Sequence, residues 1–139
     1  MAEAVKTYEG AIDKGLEGVV SCSTKISSIM DATLTFRGFT IEDLVEHSTF
    51  EEVVFLLWND RMPSKAETET LRKELVANMQ LKPETLSLMK LLPAKNAIPM
   101  DYLRTVVSSL SMSDPDVKSN EPDANHRKAL RLTGAMGAI

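Results

Sequence analysis

The chain of 139 residues carries about one domain's worth of polypeptide, with 43% apolar and 26% charged residues, the balance of an ordinary globular domain. Its formal net charge of −4, with 16 Lys and Arg scattered among 20 Asp and Glu, excludes a general nucleic-acid binder, which needs a concentrated basic face. No apolar run reaches bilayer length, the single Cys22 cannot close an intrachain disulfide, and MAEAVKTYEG lacks a signal peptide's basic start and apolar core, so a soluble cytoplasmic protein is expected, with no membrane partner.

Residues 1–14 read as a polar lead, and the first compact element is expected from Gly15. From Val19 to Ile29 the residues are β-tolerant and poor in helix formers, which favours extended chain. Asp31-Ala32-Thr33 is a turn region and Leu34-Thr35-Phe36 alternates again, so a small β-hairpin closing near Asp31 is predicted, its turn type left open without Asn-Gly or Asp-Gly. Gly38 marks a bend.

From Thr40 the hydrophobic period becomes helical. Thr40 suits the cap of a short helix with Glu42 and Asp43 in its first turn, where the helix dipole favours acids. Thr49 with Glu52 has capping-box spacing and precedes Val53, Val54, Leu56, Leu57 and Trp58, a helix apolar around most of its circumference that must be buried on more than one side. Ser64 with Glu67 repeats the spacing before a third helix predicted to run to Met79, with Leu71, Leu75, Val76 and Met79 on one stripe. Pro83 opens a fourth helix carrying Leu86, Leu88, Met89, Leu91 and Leu92, which Pro93 ends. Pro99 opens a fifth with Met100, Leu103, Val106, Val107 and Leu110 at core spacing. After a polar loop over 113–120 a sixth is expected from Asp123 or Ala124, its apolar pattern running to Ile139. Gly134 and Gly137 cost the last helix propensity, about 1 kcal/mol each, which close approach of another helix would explain. Nothing divides the chain in two; the class is mainly α with a small N-terminal hairpin.

Groups able to do acid–base or nucleophilic work are few. His47 ends the short helix, where a cation suits the dipole, and a structural role outweighs catalysis. His126 reads as an exposed surface residue in the first turn of the last helix. Two histidines without HxxxH or CxxC spacing make no zinc site, and Cys22 lies in a strand with no group to lower its pKa. No GxSxG, GxxxxGK[ST] or GxGxxG pattern occurs. Arg37, in FRGF, suits an anion, an aromatic ring or a carboxylate that ties down the hairpin, and the structural use is favoured. Arg127, Lys128 and Arg131 serve equally as phosphate ligands or as a solvated face paired with Glu121 or Asp123.

The order GLEGVV, SSIMDATLTFRGFTIEDL, TFEEVVFLLW, RMPSKAE and IPMDYLRTVVSSL resembles the start of citrate synthase, the similarity covering nearly the whole chain from Gly15. The most specific pieces are FRGF-x-IEDL and FEEVVFLLWNDRMP. Ile98-Pro99-Met100 departs from the family's His-Pro-Met, and family members run to roughly two and a half to three times this length.

The resemblance implies an acyltransferase of the citrate synthase or 2-methylcitrate synthase kind, which condenses acetyl-CoA with oxaloacetate to give citrate and CoA. It implies a helical large-domain segment over 15–139 with the small N-terminal β-hairpin. It implies a homodimer through the helices at 99–111 and 125–139. The family's catalytic aspartate and histidines and its main substrate arginines belong to the portion beyond Ile139. No catalytic or metal residue is therefore carried onto this sequence, cofactor-binding residues stay unassigned, and the chain alone is expected to bind no cofactor and to be inactive. The alternative is a non-enzymatic helical interaction or dimerisation module sharing the scaffold.

Overall fold

The computed structural model describes Val20 and residues 22–139, so the expected polar lead over 1–14, the expected start of the first compact element at Gly15 and the start of the extended stretch at Val19 lie outside the described residues. Three short strands, β1 (Ser27–Met30), β2 (Thr33–Phe36) and β3 (Phe39–Thr40), form an antiparallel sheet in that order. Met30 pairs with Thr33 and Phe36 with Phe39, leaving two residues in each turn. Both residues of both turns have positive φ: Asp31 and Ala32 at 49° and 66°, Arg37 and Gly38 at 49° and 87°. Paired left-handed residues match the right-handed twist of a two-residue hairpin. The expected hairpin thus closes at Asp31, and Gly38 makes a second turn into a third strand rather than a simple bend. Ser28 and Thr35, opposite one another on β1 and β2, join their hydroxyls at 2.7 Å.

Six α-helices follow among the described residues: α1 (Ile41–His47), α2 (Phe50–Asn59), α3 (Lys65–Ala77), α4 (Pro83–Leu91), α5 (Pro99–Ser109) and α6 (Pro122–Met136). The Thr40 hydroxyl accepts from the Asp43 N–H, and Thr49/Glu52 and Ser64/Glu67 each close a reciprocal capping box, satisfying N–H groups the first turn leaves unpaired. Proline stands first in α4, α5 and α6, where its missing N–H costs nothing. α3 stops at Ala77, two residues before the predicted end. α6 begins at Pro122, so His126 falls in its second turn, and the predicted run to Ile139 stops at Met136, with Gly137 in the cap position.

α2, α3 and α6 build the core. Val54, Leu71, Leu75 and Leu130 are buried together, with Phe55 and Trp58 packed against them. Leu56 is fully buried as well, so α2 is enclosed on more than one side as its composition demands, although Val53, Phe55, Leu57 and Trp58 remain half-buried. Gly134 brings α6 against α3: a Cβ there would stand 2.8 Å from the Leu75 carbonyl oxygen. The glycine in α6 is thus explained by an approach within the chain.

Three predicted core faces come out differently. Val76 and Met79 share the α3 stripe but are exposed: α6 buries Leu71 and Leu75, while its C-terminal end reaches Met79 only with Gly137, which has no side chain to cover it. In α4 the buried residue is Thr85, while Leu86 and Leu91 face outward. In α5 Val106 is fully buried and Met100, in the opening turn, is exposed. The Tyr102 hydroxyl donates to the Met89 carbonyl at 3.0 Å and ties α5 to α4.

Candidate functional site

The charged residues singled out by the sequence are brought to two places, and at both the chain itself supplies the partners. The loop between α5 and α6 folds on its own acids: the Asp116 N–H donates to Asp114 Oδ1 at 2.7 Å, and Val117 and Ser119 donate to the Asp114 and Asp116 carbonyls. These turns aim both carboxylates at one face of α6. Arg131 donates to Asp114 through Nε at 3.1 Å and Nη2 at 2.8 Å, and through Nη2 to Asp116 at 2.7 Å. Arg127 grips Asp116 with Nε at 3.1 Å and Nη2 at 2.6 Å. Lys128 donates to the Ser119 carbonyl at 2.6 Å.

The electrostatics follow. Arg127, with Arg131 behind it, holds the Asp116 carboxyl far below the usual carboxylate range. Burial pushes the Asp114 carboxyl up, but the hydrogen bonds from Arg131 and the Asp116 backbone outweigh it and hold it down. All three cations are committed to the 113–120 loop, so the cluster is a loop clamp, and the partners are Asp114 and Asp116 rather than the expected Glu121 and Asp123. Forked two-bond pairing of this kind fixes orientation as well as charge.

Arg37 is the second place. Its side chain is 14% exposed, Nη2 donates to the Leu57 carbonyl at 3.0 Å, and Nη1 lies 3.4 Å from Asp60. It therefore anchors the sheet to the C-terminal end of α2, in keeping with the structural use. Its Nε is buried without a hydrogen-bond partner.

The histidines do not meet. His47 lies in a cleft with Phe39, Asp43 and Met62, its Nδ1 3.2 Å from the Asp43 carbonyl oxygen at the end of α1. His126 is exposed and presents its ring edge-on to Trp58, centroids 5.5 Å apart at 78°, beside a separate cleft of about 340 Å3 with Phe55, Glu67 and Glu74. The Trp58 contact was missed by sequence reasoning, since nothing local links positions so far apart. Cys22 is exposed. Among the described residues no group of three or more His, Cys, Asp and Glu lies together as metal ligands would. No helix among them is long and apolar enough to cross a membrane.

What these residues do is hold a scaffold together, and the scaffold has relatives. The model of the family described as citrate synthase, C-terminal domain, matches residues 15–139. Citrate synthase 2 of Bacillus subtilis is 42% identical over 126 residues, covering 91% of this chain and 34% of the relative. The 2-methylcitrate synthase of Mycobacterium tuberculosis is 38% identical over 130 residues, covering 92% and 32%. The solved ternary complex of citrate synthase from Thermoplasma acidophilum with carboxymethyl coenzyme A and oxaloacetate superposes with a TM-score of 0.78 over 90% of this chain and 33% of that one, at 18% identity, which speaks for the fold alone. The chain spans about a third of the length of these relatives. A match running through almost the whole chain shows that it belongs to the citrate synthase family.

Proposed function

We infer that the chain is the N-terminal third of a citrate synthase, residues 15–139 opening its large helical domain, and that alone it catalyses no condensation. In the complete enzyme acetyl-CoA loses a methyl proton, the enol carbon attacks the oxaloacetate ketone, and citryl-CoA is hydrolysed to citrate and CoA. Such a sequence requires a base at the methyl carbon and donors on the developing enol oxygen and on the ketone. The observation that carries the reading is 42% identity with a named citrate synthase over 91% of the chain, on a fold whose arginines serve packing. The same family resemblance supports a 2-methylcitrate synthase, which takes propionyl-CoA, because both kinds of relative match.

The contribution of this third is positional. Arg37 fastens the sheet to α2, and the clamp of Arg127 and Arg131 fixes the loop that sets α6 relative to α5. The helices at 99–111 and 125–139 are the proposed two-fold contact of a homodimer; exposed Met100 and Leu132 support it, and the close packing of Gly134 is already used within the chain. Acid-rich composition and a single cysteine support the cytoplasm as its compartment.

The test is CoA release from acetyl-CoA, and in parallel from propionyl-CoA, with oxaloacetate. The purified chain should release none above the uncatalysed rate, and the chain joined to the remaining two-thirds of a family member should release it. Release by the 139-residue chain alone would sink the claim that it is inactive. An inactive joined polypeptide would sink the enzyme reading.

A further inference from the structure

We draw no further inference here: the strongest candidate, the aromatic and acidic cleft that Phe55, Trp58, Glu74 and His126 line between α2, α3 and α6, already has the chain's own Arg61 on the Phe55 ring and on Glu67, and nothing in the structure shows what would fill or cover the rest.

Discussion

Gly134 of α6 lies so close to Asn78, the C-terminal cap of α3, that a Cβ on the glycine would stand 2.8 Å from the Asn78 carbonyl carbon. Backbone cannot yield as a side-chain tip can. Gly134→Ala gains about 1 kcal/mol of helix propensity and, with backbone at 2.8 Å, loses about 2–3 kcal/mol to overpacking, so a net loss of about 1–2 kcal/mol is expected. Gly137→Ala, facing the movable Met79 Cε at 3.4 Å, should stay within about 0.5 kcal/mol of the parent. Urea midpoints at constant slope decide it, and equal effects at both glycines would refute the close-approach argument.

The capping boxes give a second expectation. Thr49→Ala and Ser64→Ala should each destabilise the chain by about 1 kcal/mol, because each strands N–H groups at the start of α2 or α3. Thermal unfolding reads the loss, and no change in either variant would mean that water replaces the cap without cost.

Helix starts such as these were legible because a cap and its partner lie three residues apart. The clamp was not, since Asp114 and Arg131 meet only through the fold of the loop between them, and nearer acids such as Asp123 offered a simpler pairing. Ala32 concealed the type of the first hairpin turn, though not its place, because alanine rarely signals a positive φ, and two-residue β3 is too short to show a period. Val76 misled for a different reason: periodicity says which residues share a face, and only the neighbouring element decides whether that face is covered. No active-site constellation emerged from the sequence, and the arginines it nominated hold elements of the fold together.

Acid should weaken the fold with a definite sign. The Arg61 guanidinium, then the Ser64 N–H and hydroxyl, hold Glu67 down at about 2, against about 4.3 for a free glutamate. A folded value below the unfolded one means that stabilisation is fully present above the unfolded value and is lost as pH falls through the folded one. Asp114 and Asp116 shift the same way. The urea midpoint should be flat above about pH 5 and fall between about pH 4 and pH 2, with a shallower acid limb in Glu67→Gln. Glu67 and Arg61 face solvent, so its share of the limb is modest. An acid limb identical in parent and variant would show that the capping carboxylate contributes nothing.

Arg131→Met should loosen the loop that it clamps. The loss of paired bonds to the half-buried Asp114 costs about 1–2 kcal/mol. Amide exchange at Val117 and Ser119 should quicken while that of α3 holds, and unaltered exchange in the loop would show that its own turns suffice.

Arg37→Asn separates backbone preference from anchoring. Asparagine tolerates the φ of 49° in the turn, but cannot reach the Leu57 carbonyl. The strands should keep their pairing, seen as unchanged exchange of the position-37 amide bonded to Ile26, while the lost anchor to α2 lowers the urea midpoint by the equivalent of about 1 kcal/mol. An unchanged midpoint would assign the sheet's attachment to other contacts.

The seating of Gly134 against Asn78 also has a place in time. The sheet turns and the α2–α3 pair join stretches adjacent in the chain, whereas Gly134 must find a partner more than fifty residues away. Closing so long a loop spends chain entropy before any contact forms. On the ribosome, then, α2 and α3 emerge with one flank waiting until α6 follows them out.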